Sequence, residues 1–448
     1  MSSIAELSEV LTEILNEEAN RLARETGFVQ RESKIHGADF AQSLIFGWLA
    51  EPEITLEGVC QVLGRREVRV SASGLSQRFS QHSVDFLQRL MEVLASTCVQ
   101  AEEAAPYPLL RQFKAVILED SSVIGLPAEL AHVWRGCGGH PGASQAGVKL
   151  YVRWDVLSGQ LFGPTLTDAR RNDRHSPFDL ADLPAGALYL ADLGFFSQER
   201  LQRLTRRMGR EKRFVITRMQ STTGLWVRSG HKLTLRGILP SQVGQARELG
   251  VLVGKRVRLP MRLILVRVPK EAAEQRRTQL KADARDHGRE PSQESLFLAE
   301  WTILLTNVPR RLLSLPQVLV CARLRWQIER LFRLWKEHGK IDAWRSKKPE
   351  RVLTELSAKI AAMILQQWLL HQGCWHDPHT SLFKAAQVVR RESNRLMLAL
   401  FEGGVEAVLT SILRQLRLTG GRRSRRKAHP GTDQLLLDGL DWPITLLT

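Results

Sequence analysis

Three carboxylates stand out for what surrounds them. Asp120 comes just after the apolar run Ala115-Val116-Ile117-Leu118, with Glu119 between, and Asp192 directly follows the apolar run from Ala187 to Ala191. Glu329 lies in Leu324-Arg325-Trp326-Gln327-Ile328-Glu329-Arg330-Leu331-Phe332-Arg333-Leu334-Trp335-Lys336, which has helical periodicity. Each Asp therefore sits at or near the end of a short strand that reads as buried. If those strands are parallel neighbours, the carboxylates converge at one sheet edge, where α/β folds place their sites. Glu329 on a following helix would complete a triad. Three carboxylates with few other ligands suit Mg²⁺ or Mn²⁺, which prefer oxygen. Two such ions roughly 4 Å apart can activate a water or a 3′-hydroxyl and stabilise the leaving oxygen in phosphodiester cleavage.

The helix carrying Glu329 is well marked. Ser314 and Gln317 have capping-box spacing, Pro316 falls in the first turn and Gly339 ends the run. At 100° per residue, Arg325, Glu329 and Lys336 fall within about 40° of one another and share a face. Val320, Leu324, Ile328, Leu331 and Trp335 form an apolar stripe beside it. An ordinary amphipathic helix, with Glu329 paired to Arg325 or Arg333, is the competing reading. For each Asp the competing reading is a turn or a helix cap. Glu119 should point to the sheet face opposite Asp120. Asp155 lies near a hairpin turn, and Asp173 sits in the polar loop Arg170 to His175, which could approach the site. Gly-x-Ser-x-Gly, a P-loop and HExxH are all missing from the sequence, and His371, His376 and His379 around Cys374-Trp375 match no common zinc module.

The elements that must position these groups change character along the chain. Residues 1 to about 105 read as helical, with Leu56 to Gly64 and Ser73 to Phe79 as short helices joined by tight turns, a weak helix-turn-helix pattern. Ala115 to Leu118, Val148 to Trp154 and Gln160 to Thr167 read as three neighbouring strands, the last two a hairpin. Ala187 to Ala191 is a further strand, Ser197 to Gly209 a basic amphipathic helix and Arg213 to Arg218 another strand, giving a mixed α/β unit. Leu225 to Leu239 and Val251 to Val268 are strand-like and Glu271 to Gly288 is a charged helix or loop, together an inserted β-rich module. Trp301 to Asn307 resumes a buried strand. Val352 to His371 is a long apolar helix expected to pack on the sheet, followed by helices at Leu382 to Phe401 and Val405 to Leu416. The stretch Gly420 to Lys427 is a basic linker, suited to phosphate contact or simply solvated.

The 448 residues can bury a large core, and 64 Lys and Arg against 47 Asp and Glu give a net charge of +17. That suits a polyanion, and the predominance of Arg suits bidentate contact with phosphate, although a ribosome-associated protein would have a similar balance. Cys60, Cys98, Cys137, Cys321 and Cys374 are scattered, which indicates neither a zinc finger nor a disulfide framework and fits a reducing cytoplasm. The acidic, amphipathic start is unlike a signal peptide, and no apolar run reaches the ~18 residues of a membrane span. A soluble cytoplasmic protein is expected.

Over most of its length the chain resembles the DDE transposases of the insertion-sequence-four family. Asp120-Ser121-Ser122 is similar to the first-acid motif, and Leu190-Ala191-Asp192-Leu193-Gly194-Phe195 to the second, Asp-x-Gly-aromatic. The third motif, Tyr-x2-Arg-x3-Glu-x6-Lys, is matched at its last three elements by Arg325, Glu329 and Lys336. Ala322 stands where the signature Tyr belongs; it can neither stack nor donate a hydrogen bond, which bears on the hairpin step associated with that Tyr. The resemblance implies an RNase H-like α/β fold, a mixed sheet with flanking helices, with a β-rich insertion and an N-terminal helical domain. The 136 residues between Asp192 and Glu329 leave room for the insertion. The implied divisions are an N-terminal DNA-binding domain at 1–105, a catalytic core at 106–220 and 301–375 around an insertion at 221–300, and a C-terminal helical region at 376–448. Also implied are Asp120, Asp192 and Glu329 as catalytic metal ligands for two Mg²⁺ or Mn²⁺ ions. DNA contacts are expected from Arg325, Trp326, Lys336 and the linker residues Arg422, Arg423, Arg425 and Arg426. The partners would be double-stranded DNA, as transposon ends and target, and a second copy of the chain in a synaptic dimer, in the bacterial cytoplasm at the nucleoid. A transposase-derived DNA-binding regulator without chemistry and an unrelated metal-dependent nuclease are the alternatives.

Overall fold

Local signals start the helical part of the chain. Ser3 and Glu6 close a reciprocal capping box at the head of α1 (Ile4–Thr12), which runs through a wide turn at Glu13–Glu18 into α2 (Ala19–Glu25). The almost wholly buried α3 (Gly37–Ala50) crosses close to α2: a side chain at Gly37 would stand 2.6 Å from the Ala19 carbonyl oxygen. Thr55 caps α4 (Leu56–Gly64) and Ser71 caps the five-residue α5 (Ala72–Ser76); α6 (Gln81–Ser96) follows. The computed structural model describes residues 3–31, 34–101, 105–137, 145–205, 212–286, 288–421, 430–438 and 443–447. Arg422, Arg423, Arg425 and Arg426 lie outside the described residues, as does the end of the helix expected to reach Gly209.

Strands β1 (Val116–Leu126), β2 (Ala146–Asp155), β3 (Leu161–Asp168) and β4 (Leu188–Ala191) are followed by α7 (Gln198–Thr205) and β5 (Phe214–Arg218). Then come β6 (Leu225–Trp226), β7 (Lys232–Leu233), β8 (Ala246–Val253), β9 (Leu259–Arg267), α8 (Lys270–Asp286), α9 (Gln293–Leu298) and β10 (Trp301–Thr306). These strands form one sheet in the order β3-β2-β1-β4-β5-β10-β9-β8-β6-β7. The pairs β1/β4 and β4/β5 are parallel and the others antiparallel. The stretch read as an inserted β-rich module continues the core sheet, because β9 pairs with β10 along six positions, and it also carries the helices α8 and α9.

The sheet's two faces differ, as the pleat requires. Leu118, Leu190, Ile216 and Leu304 face a large core shared with helices, whereas Ile117, Tyr189, Val215 and Leu305 face a smaller one. Over the large face lies the run from Ser314 to Gly339. The capping box between Ser314 and Gln317 forms as its spacing predicts. The run is not one uniform helix, however. It divides into α10 (Leu315–Ala322), a tight turn at Arg323–Arg325, α11 (Trp326–Arg333) and a wide turn at Leu334–His338.

The remaining helices are α12 (Pro349–Cys374), α13 (Leu382–Glu402), α14 (Val405–Thr419), α15 (Thr432–Asp438) and α16 (Ile444–Leu447). The apolar α12 packs mainly on α3, α6 and α14 and meets the sheet near its end, where His371 stacks on Trp154 of β2. Ser83 and Thr354 share a hydrogen bond of 2.9 Å, Asn16 donates to the Leu400 carbonyl at 3.0 Å, and Lys359 sits 5.8 Å from the Trp48 ring. The N-terminal helices thus share one core with α12 to α14. Among the described residues no helix is long and apolar enough to cross a membrane.

Candidate active site

The strand register sets the site. In the parallel ladders Leu118 pairs with Leu190, Glu119 with Ala191, and Leu190 with Ile216. The β1/β4 ladder stops there, and Asp120 and Asp192 are the next residue on each strand. Side chains alternate along a strand, so Asp120, Asp192 and Arg218 each continue the face of Leu118, Leu190 and Ile216. They form a row at the carboxyl ends of three adjacent parallel strands. Asp120 is not at the physical end of its strand: β1 runs on to Leu126, held by β2 alone.

Leu324, Ile328 and Leu331 bury themselves in the core beneath Leu118 and Leu190, which carries Arg325 and Glu329 over the end of the row. Arg325 sits among all three acids. Its Nη1 donates to Glu329 Oε1 and lies 3.9 Å from Asp120 Oδ2, while its Nε lies 3.6 Å from Asp192 Oδ1. The guanidinium also lies 5.4 Å from the ring of Trp326, itself largely exposed. Burial raises the Asp120 carboxyl to about 7, opposed by the Ser121 N–H and by Arg325, with Asp192 and Glu329 adding to the rise.

A second layer holds this arrangement. The Asp120 Oδ1 accepts from the Ser121 N–H at 2.8 Å, and the Ser121 hydroxyl donates to Asp173 Oδ1 at 2.8 Å. Lys149 reaches the same Asp173 oxygen at 3.1 Å. A side chain at Gly194 would stand 2.9 Å from Asp173 Oδ2, so the loop after Asp192 must be bare there. The polar loop therefore does approach the site, as a brace touching the segments after both Asp residues. Glu119 points to the opposite face, fully buried, and accepts from Arg153 at 2.8 Å and Arg200 at 3.2 Å. Asp155 binds its own hairpin turn through Leu157 and Ser158. Lys336 lies apart from the acids; its Nζ donates to the Val123 carbonyl at 2.7 Å, holding the free end of β1. Arg330 and Gln327 reach Asp433 at 3.6 Å and 3.3 Å, so the C-terminal segment packs behind Glu329.

An open groove of about 1780 Å³ runs from Asp192, Trp326 and Glu329 past Arg218 to Arg276 on α8. Sequence reasoning did not single out Arg218. The signal was present, since Arg218 ends an apolar strand much as Asp192 follows one.

The donor set of three carboxylates fits an oxygen-preferring divalent cation. As the side chains stand, among the described residues no three His, Cys, Asp or Glu close on a metal position, and the guanidinium of Arg325 lies among the three acids. The donor chemistry fits such a cation, while the positions the side chains take here are closed around Arg325 instead.

A mixed α/β sheet with two acids in register on adjacent parallel strands, and a third carried to them by a helix, defines the site. Residues 111–365 match the transposase DDE domain, more than half of the chain, and the chain belongs to that family. It is similar to the transposase for insertion sequence element IS231C of Bacillus thuringiensis subsp. berliner, 28% identical over 97% of this chain and 93% of that one. The transposase for IS231D of Bacillus thuringiensis subsp. finitimus is 26% identical over 92% and 89%. A solved piggyBac transposase synaptic complex with hairpin DNA is similar at 10% identity and a TM-score of 0.44, covering 92% of this chain and 82% of that one.

Proposed function

We propose that this chain binds the terminal inverted repeats of its own insertion sequence and cleaves and transfers DNA strands with a divalent metal. The observation that carries this reading is the gathering of Asp120, Asp192 and Glu329 around one guanidinium at the ends of parallel strands. The antiparallel β1-β2-β3 meander beside parallel β4 and β5 supports an RNase H-like core of the insertion-sequence-four type. The divisions 1–105, 106–220, 221–300, 301–375 and 376–448 then serve as working boundaries for DNA binding, core, insertion, core and C-terminal helices.

Asp120, Asp192 and Glu329 would hold Mg²⁺ or Mn²⁺, two ions per site. The metal, when bound, supplies an activated oxygen nucleophile and charge stabilisation at the phosphorus. The remaining chemistry belongs to the chain. Arg325 pairs with the acids as the chain stands, and would be free to contact a phosphate where a cation took its place. A bound cation would hold Asp120 as the carboxylate, because ligation favours the charged form. Trp326 offers an exposed ring for a base or sugar beside the scissile phosphate. Double-stranded DNA, a homodimeric synapse and a cytoplasmic, nucleoid-associated setting complete the reading.

The test is incubation of the purified chain with duplexes carrying the inverted repeats that flank its gene, in Mg²⁺ or Mn²⁺. Metal-dependent breaks at the repeat boundary, leaving 3′-hydroxyls, are expected. Binding to the repeats without any break in either metal would favour the DNA-binding regulator, for which Ala322 in place of the signature Tyr is the supporting feature.

A further inference from the structure

The groove beside the acids has a second charged end. Arg218 is the third member of the row that begins with Asp120 and Asp192, and it is exposed to the groove. Arg218 pairs across β5/β10 with Leu304, so both face the same side, and Thr302 two residues along β10 shares that side. Arg276, from α8 of the insertion, reaches over this position: its Nη1 donates to the Trp301 carbonyl at 3.2 Å and its Nη2 to Thr302 Oγ1 at 3.0 Å. Two guanidinium groups thus approach from different elements, one from the core and one from the insertion. Among the described residues neither is ion-paired to a carboxylate, in contrast to Arg262, Arg267 and Arg277 nearby. Burial and the positive charge of Arg218 hold the Arg276 guanidinium down to about 10. Arg276 uses two of its five N–H donors on the sheet, which leaves others for a ligand.

Two adjacent cations with spare donors and, among the described residues, no directly paired carboxylate line a groove that leads to the acids; Asp192 and Glu329 act on Arg218 only at longer range, which leaves room for an anion between the two guanidinium groups. A tetrahedral phosphate oxygen set satisfies planar guanidinium forks well and removes their mutual repulsion. We propose that Arg218 and Arg276 form a phosphate subsite that holds one backbone phosphate of a DNA strand passing from the acidic row towards α8. The inference rests on the DNA reading above and adds a place where the insertion grips the strand. Holding a second phosphate on the far side of the acids fixes the direction in which the strand crosses them.

A helix tether is the plainer role for Arg276, so the test reads charge on the DNA rather than stability alone. Duplexes of the flanking inverted repeat are made with a neutral methylphosphonate at one phosphate at a time near the boundary, and binding is followed by fluorescence anisotropy. In the native chain one position should weaken binding roughly tenfold, the size of a charge-assisted hydrogen bond. In R276Q and in R218Q the same position should have lost its effect, while other positions keep theirs. The double variant should also lower the salt slope by about 0.9, the share of one phosphate, between about 50 and 200 mM salt. R276K, which keeps the charge, should retain the slope. R218Q is the safer variant, because the Arg218 side chain makes no hydrogen bond to the described residues. If the phosphonate profile and salt slope of folded R218Q and R276Q match the native chain, the subsite does not exist, although the DNA reading stands. If inorganic phosphate binds the native chain but not R218Q, and yet leaves repeat binding and its phosphonate profile unchanged, the pair is a site for a free anion and the strand assignment fails. A native chain that binds no repeat and shows no salt dependence overturns the DNA reading itself.

Discussion

Glu329→Gln separates chemistry from architecture. The amide nearly matches the carboxylate in size, and Glu329 is only partly buried, with a side chain 31% exposed. What the fold loses is one i,i+4 ion pair with Arg325 in a half-solvated setting, worth about 0.3–0.5 kcal/mol. Arg325 keeps Asp120 and Asp192 at 3.9 and 3.6 Å, so it is not stranded. A melting shift of ~2 °C or less is expected for a chain of this size. The effect on cleavage is of another order. Losing one of three charged oxygen ligands forfeits several kcal/mol of transition-state stabilisation, and at 1.36 kcal/mol per tenfold about 4 kcal/mol is a loss of roughly 10³. Binding to the repeats should hold or tighten slightly, since a negative charge has gone from beside the phosphates. The assay is single-turnover cleavage of end-labelled repeat duplex in Mg²⁺ on a denaturing gel, with binding measured in parallel without metal. Cleavage at nearly the native rate would mean that Glu329 is an ion-pair residue of an ordinary helix, and the triad reading would fall.

Ala322→Tyr puts an aromatic ring at the end of α10 on the groove wall, and should change the ratio of hairpin to open-end products more than the nicking rate; an unchanged ratio on a denaturing gel would show that this position does not govern the hairpin step. His371 is buried between Trp154 and Trp375, and burial lowers its imidazole to about 3. The unfolded chain takes up this proton near pH 6.5 and the native chain does not until about 3, so this stability is intact above 6.5 and is lost as pH falls through that window, at up to about 1.4 kcal/mol per unit. Urea midpoints at pH 7 and pH 5 should therefore diverge more for the native chain than for His371→Gln; equal divergence would refute the assignment. Arg66→Met leaves Asp39 buried without its cation, where both side chains are under 10% exposed, and should cost about 3–5 kcal/mol by urea unfolding, whereas a loss under ~1 kcal/mol would show that the pair contributes little to the N-terminal helices.

Local chemistry settled much of this protein in advance. The apolar runs before Asp120 and Asp192 had to become buried strands, and alternation then placed Glu119 on the face opposite Asp120. The Ser314–Gln317 box had to start a helix, because the partners that close it are three residues apart. The motif spacing around Arg325, Glu329 and Lys336 pointed to the family that residues 111–365 match. Contacts between distant segments were not legible in this way. The register that makes Arg218 the neighbour of two acids depends on how β4 meets β5, and nothing within a few residues of Arg218 encodes it. The place of Arg325 among three carboxylates depends on how the turn at Arg323–Arg325 and the buried face of α11 pack on the sheet. That residues 246–267 continue the core sheet was decided by pairing between β9 and β10, which are separated by α8 and α9. Helix periods and caps are set by side chains within four positions of one another, so the sequence states them. Strand register, and the choice of cation that faces each acid, are set by burying both sheet faces at once, and only the folded chain decides them.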